Sequence, residues 1–206
     1  MNSNIIEIRG LEKRYGKTLV LKIDDFVFKK GLAYLLIGGN GAGKSTLIKI
    51  MVKLIKPTSG NVLVNTKKMA YVPERFIYPD NLRVFDFLNI LCKVKNCLNY
   101  QDKINYLLNW WNVDGKKKLS ALSKGMKQKI LIIQSIIFEV DLYIFDEPLN
   151  GLDIDSQNDF LMILRRLKDL GKTIIVCTHY DKYYVPFFDY SVYLNGGIIH
   201  EVKKSN

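Results

Sequence analysis

The sequence is poor in cysteine, in acidic residues and in long apolar runs, and each shortage closes off a class of protein. Cys92, Cys97 and Cys177 are the 3 cysteines of 206 residues. An odd number without Cys-x-x-Cys spacing makes neither a disulfide framework nor a zinc or redox motif, so free structural thiols are expected. The longest uncharged apolar-rich stretch, Ile130 to Phe138, is interrupted by Gln134 and Ser135. It falls far short of the roughly 20 residues that cross a bilayer, so no membrane span is expected. The start, Met1-Asn2-Ser3-Asn4, lacks a basic region followed by an apolar core. A chain that stays in the cytosol is therefore expected. Internal repeats, low-complexity tracts and heptad runs are absent as well.

Acidic residues number 20 against 31 lysines and arginines, a net charge of +11. That sign suits nucleic acid, an anionic membrane surface or a phosphate-rich ligand. The lysines are spread along the whole chain, with one dense region at Lys116, Lys117, Lys118, Lys124, Lys127 and Lys129. A solvated face is the plainer account of most of that charge, because exposed charges contribute little individually. With 48% apolar residues the chain can bury an ordinary core without disulfides or a structural metal, which excludes disorder and fits one globular domain.

Ile5 to Ile8 and Leu19 to Phe28 read as strands, punctuated by Gly10 and Gly16. Leu32 to Ile37 is a continuous apolar run, the pattern of a strand covered on both faces. Leu47, Ile48, Ile50, Met51, Leu54 and Ile55 recur at helical spacing until Pro57-Thr58-Ser59-Gly60. Asn61 to Val64 and Met69 to Val72 read as short strands, and Pro73 ends the second. Ile104, Leu107, Leu108 and Trp111 line one face of a helix over Gln101 to Trp111, so a helical insertion is expected from about 75 to 120. Leu142 to Phe145 is a second buried strand, Asp155 to Leu170 a helix closed by Gly171, and Thr173 to Val176 a third such strand. The alternation predicts an α/β fold with a largely parallel core sheet and helices on its faces.

Gly38-Gly39-Asn40-Gly41-Ala42-Gly43-Lys44-Ser45 matches Gly-x-x-x-x-Gly-Lys-Ser/Thr between a buried strand and a helix, the context that identifies a P-loop. Glycines let backbone N–H groups turn inward around phosphate oxygens, and the helix that follows, with Thr46 in its first turn, offers its positive end to the same anion. Lys44 would bridge the β- and γ-phosphates of ATP and the Ser45 hydroxyl would ligate Mg²⁺. Asp146 ends an apolar strand where ligands of open α/β sheets bind, and suits the Mg²⁺ shell. Glu147 beside it could polarise a water for in-line attack; a helix N-cap or a surface salt bridge is the alternative for this acidic pair.

Further motifs follow in order. Leu122-Ser123-Lys124-Gly125-Met126 resembles the signature motif of ATP-binding cassette (ABC) proteins, and Asn150-Gly151-Leu152-Asp153 resembles their D-loop. His179, after the strand from Thr173, resembles the switch histidine, for which a capping or core histidine is the bland alternative. Tyr15 in Leu11-Glu12-Lys13-Arg14-Tyr15-Gly16 resembles the A-loop aromatic that stacks on adenine. The resemblance covers about Ile5 to Val202. It implies an ABC ATPase domain over 1–206, with an antiparallel β subdomain and a helical subdomain at about 75–135 inserted in a RecA-like core.

It further implies two ATP molecules bound between two head-to-tail subunits, with homodimerisation expected. Ser123 and the Gly125 N–H would meet the partner's γ-phosphate at the start of a helix beginning near Ser123. Glu147 would be the base, His179 would position the attacking water, and Asp153 would signal across the dimer. A separate membrane-spanning permease would be driven from the inner face of the membrane, its coupling helix received by the helical insertion. Two departures stand out. Lys124 and Met126 replace the usual Gly and Gln of the signature, a variant resembling ABC-2, drug and antibiotic exporters. Glu74 occupies the place of a glutamine that usually links Mg²⁺ to the membrane partner, so Glu74 joins Ser45 and Asp146 as a metal-site candidate. The rival reading is an ABC ATPase acting on ribosomes or nucleic acid, supported by the +11 charge alone; no nucleic acid partner is expected. Lys116 to Lys118 read as a solvated loop, Trp110 and Trp111 as packing residues, and Tyr183, Tyr184, Phe187 and Phe188 as an aromatic cluster against the sheet.

Overall fold

The computed structural model describes residues 3–79, 81–96, 100–179 and 184–204. Cys97 and Tyr183 lie outside them. Three apolar runs become the fully buried central strands: β3 (Ala33–Ile37), β6 (Leu142–Asp146) and β7 (Thr173–Thr178). With β5 (Met69–Val72), β8 (Tyr190–Asn195) and β9 (Ile198–Lys204) they form a six-stranded sheet in the order β5-β6-β7-β3-β8-β9. Every neighbouring pair is parallel except the β8–β9 hairpin. Continuous apolar strands demand cover on both faces, and two separate apolar cores provide it.

A second, antiparallel sheet has the order β2-β1-β4, from β1 (Asn4–Tyr15), β2 (Thr18–Lys29) and β4 (Ser59–Val64). The first strand is longer than the Ile5–Ile8 run expected. It continues through Gly10, whose φ of 55° is tolerated without a Cβ, and its pairing with β4 shifts register between Arg9 and Glu12. Helix α1 (Lys44–Met51) is shorter than the apolar periodicity predicts. Lys53 takes a left-handed φ of 62°, and the N–H groups of Leu54 and Ile55 both turn back to the Lys49 carbonyl, ending the helix. Leu54, read as part of the apolar face, is left largely exposed.

The helical stretch contains α2 (Val84–Val94), α3 (Tyr100–Trp110) and α4 (Lys124–Ile137). As expected from its position, Ser123 caps α4, its Oγ accepting the Met126 N–H at 3.2 Å. Helix α5 (Ile154–Asp169) is capped by Asp153, whose Oδ1 accepts from the Ser156 N–H and hydroxyl at 2.8 and 2.6 Å. Trp111 is buried, and the half-buried Trp110 donates its indole N–H to Asp159, so both pack as the sequence suggested. Tyr184 and Phe188 are buried edge to face in the larger core, and the side chains of Lys116 to Lys118 are exposed. Cys92 and Cys177 are buried.

Candidate active site

Sheet register assembles the site. Val72 pairs with Phe145, Asp146 with Cys177, and Thr178 with Ile37, so β5, β6, β7 and β3 end side by side. The segments leaving those ends carry Glu74, Glu147, His179 and the glycine-rich loop into one cleft of about 320 Å³. Gly39 to Thr46, Asp146 and Asn150 complete the parts of its lining that matter here. The carboxyl ends of parallel strands are where open α/β sheets bind ligands.

The glycine-rich loop needs its glycines. Gly43 has φ 101°, a backbone that L side chains rarely adopt, and a Cβ there would meet Leu21 Cδ2 at 2.7 Å. A Cβ on Gly38 would run into the Leu194 carbonyl. Lys44 opens α1 and is nearly buried, its ammonium donating to the carbonyls of Gly38 at 2.6 Å and Gly39 at 3.2 Å. It also stands 3.9 Å from Glu147 Oε1. The ammonium is thereby held over the floor of the loop, against two carbonyl dipoles and one carboxylate.

Asp146 is 3% exposed, and its Oδ1 is buried with no hydrogen-bond partner among the described residues. Burial pushes its carboxyl up to about 6; the Glu147 and Glu74 carboxylates push the same way, while a Ser45 hydrogen bond and the Lys44 ammonium pull against them. A bare, buried carboxylate oxygen beside a serine hydroxyl is the donor set a hard divalent cation takes, so Mg²⁺ fits here. Glu147 sits in the left-handed region at φ 49°, its N–H donating to the Cys177 carbonyl at 2.9 Å. Its Oε1 lies 2.8 Å from His179 Nδ1, and its Oε2 accepts from the Thr178 hydroxyl at 3.3 Å. The imidazole is thus a carboxylate's neighbour at the cleft mouth, exposed and outside the core.

Tyr15, Ser123, Gly125 and Asp153 do not line this cleft. Tyr15 projects from the end of β1, 52% exposed, with the Lys13 ammonium 5.1 Å from its ring centroid. Ser123 is exposed at the head of α4, and a Cβ on Gly125 would collide with the Gly151 carbonyl, so the signature segment rests directly on the D-loop. Asp153 is held down by its Ser156 hydrogen bonds to about 2, with Lys129 3.4 Å away as a lesser cause. Val20 and Thr178 belong to the site's surroundings and were not singled out in the sequence; they carry no local signal, since sheet packing alone brings them in. Asn150, read in the sequence as the first residue of the D-loop motif, lines the cleft as well.

A family model described as ABC transporter matches residues 21–150. The zinc import ATP-binding protein ZnuC of Rickettsia conorii is 36% identical over 202 residues, covering 96% of this chain and 86% of that protein. The petrobactin import ATP-binding protein YclP of Bacillus subtilis is 31% identical over 217 residues, again 96% of this chain and 86% of that one. A solved structure of an ATP binding subunit of an ABC transporter superposes with a TM-score of 0.89 at 28% identity, covering 97% of this chain and 90% of the other. A cassette fold, a phosphate loop in its proper setting and relatives matched along nearly the whole length agree: the chain belongs to the ABC transporter ATP-binding family and is an ATPase.

Proposed function

We propose that this ATPase works as a pair of identical chains that enclose two MgATP and drive a separate membrane-spanning permease. The observation that carries the reading is the convergence in one cleft of the phosphate loop, the bare Asp146 oxygen and Glu147 held against His179. Gly38 to Thr46 bind the phosphates, and Lys44 leaves its two carbonyls for the β- and γ-phosphates. Ser45 and Asp146, with Glu74 nearby, would hold Mg²⁺, which would neutralise charge on those phosphates. Glu147 takes the proton of the attacking water, and His179, already hydrogen-bonded to it, orients that water. Tyr15 stacks on adenine. Ser123 and Gly125 face the partner's γ-phosphate, which explains why they stand outside their own chain's cleft, and Asp153 relays between the two sites.

In this reading residues 1–206 work as one domain, with the helical segment of about 75–135 inserted in the RecA-like core. Phe76, Ile77, Ile90 and Val94 leave apolar surface exposed on that segment, as a groove for a permease helix requires. No helix among the described residues is long and apolar enough to cross a membrane, in keeping with a chain held at the inner face by its permease. The Lys124 and Met126 variant suggested export. The two relatives above carry import in their names, so export finds no support there and import is the direction we favour. Lys44→Ala tests the core of the reading. It should abolish MgATP hydrolysis, because the γ-phosphate loses its binding cation and its transition-state cation together. Parental turnover in the purified variant would end the assignment.

A further inference from the structure

We infer that Gln128 is a positioning residue for Glu147: its side-chain amide holds the Pro148 carbonyl and thereby fixes the backbone that aims the Glu147 carboxylate. The inference rests on the reading of Glu147 as the base. Glu147 adopts φ 49°, in the left-handed region that a residue with a Cβ disfavours. The next residue is Pro148, whose ring biases its predecessor toward extended backbone. Two local preferences therefore oppose the conformation that places the carboxylate 2.8 Å from His179. Such a posture persists only where its surroundings hold it.

On the chain's own side the loop is tied by the Glu147 N–H to Cys177 and by the Asn150 N–H to the Glu147 carbonyl. Across from it stands α4. Gln128, 5% exposed, donates from Nε2 to the Pro148 carbonyl at 3.1 Å. The aliphatic stem of Lys124 lies 3.5 Å from the Cβ direction of Gly151, and Gly125 packs on the Gly151 carbonyl. Lys129 reaches Asp153 at 3.4 Å. The first turns of α4 thus hold Pro148, Gly151 and Asp153, and Gln128 supplies the bond to the residue next to Glu147. Because that bond is buried, losing the donor leaves the carbonyl unsatisfied and frees the peptide to relax toward extended backbone.

The test compares Gln128→Met and Gln128→Leu, neither of which can donate, with the parent chain. Methionine is unbranched and close in length, so it keeps the packing where leucine strains it. The maximal rate kcat of MgATP hydrolysis should fall about 10- to 100-fold, the cost of a small misplacement of a reacting group. The KM for MgATP should stay within about twofold, since the phosphate loop is untouched. In single-turnover measurements on Glu147→Gln, adding Gln128→Met should cause less than about a twofold further loss, because both act through one carboxylate. The inference is overturned if Gln128→Met keeps parental kcat, if KM worsens as much as kcat falls, or if the loss is undiminished in the Glu147→Gln background. Parental turnover of Glu147→Gln by itself would instead overturn the assignment of the base, which keeps the two failures apart.

Discussion

At the scale of single residues, burial changes the protonation of one group in the site: the Asp146 carboxyl is pushed up to about 6 chiefly by burial. Because its native pKa is raised, the folded protein holds a proton between about pH 4 and 6 that the unfolded chain has released, so this group lowers stability as pH rises through that window. Asp146→Asn should therefore be more stable than the parent above pH 6 in metal-free buffer, on the order of 2–3 kcal/mol, with the advantage gone below about pH 4. Urea denaturation at pH 4 and pH 8 measures it; an advantage independent of pH would mean the carboxylate is not the source. Tyr15 belongs to the same scale. Its exposed ring suits a stacking platform, so Tyr15→Ala should weaken ATP binding by about 1–3 kcal/mol while Tyr15→Phe is nearly silent, as read by calorimetric titration. Equal losses in both would point to a hydroxyl contact.

At two helix starts a side-chain cap coincides with a motif read in the sequence. Ser123 caps α4 and Asp153 caps α5, so the signature and D-loop segments are fixed by the same bonds that start their helices. Asp153→Ala should cost about 1 kcal/mol of stability at neutral pH by unfitting the start of α5. The Asp153 carboxyl is held down to about 2, so its contribution is present above about pH 4 and lost as pH falls through 2. The difference between parent and variant in thermal midpoint should shrink over that interval; a constant difference would assign the effect to something other than the charged cap.

For the whole molecule, the residues that miss the cleft are as informative as those that line it. Tyr15, Ser123, Gly125 and Asp153 are exposed or peripheral in one chain, and in the proposed pairing a second chain facing the first would give Ser123 and Gly125 a ligand. Glu147→Gln with ATP should therefore accumulate a dimer, detectable by light scattering, because the phosphates that join the two chains are not hydrolysed. Ser123→Arg in the same background should block the dimer yet leave monomeric nucleotide binding intact. A variant that remains monomeric at saturating ATP would contradict the paired arrangement for the chain alone.

What the sequence determined by itself is whatever lies within a few consecutive residues: the phosphate loop between strand and helix, the acids at the end of β6, and the helix start near Ser123. These are legible because contiguous residues fix their own geometry through backbone dihedrals and short-range hydrogen bonds. The C-terminal β8–β9 hairpin and the early stop of α1 were not read, since a sheet partner decides the first and the left-handed turn at Lys53 the second. Tertiary structure alone decided which distant groups meet. Register across β5, β6, β7 and β3 brings Glu74, Glu147, His179 and Gly39 to one mouth, and packing of α4 puts Gln128 on Pro148. A parallel sheet pairs strands far apart in sequence, so its register is set by the burial of whole faces and not by any local pattern.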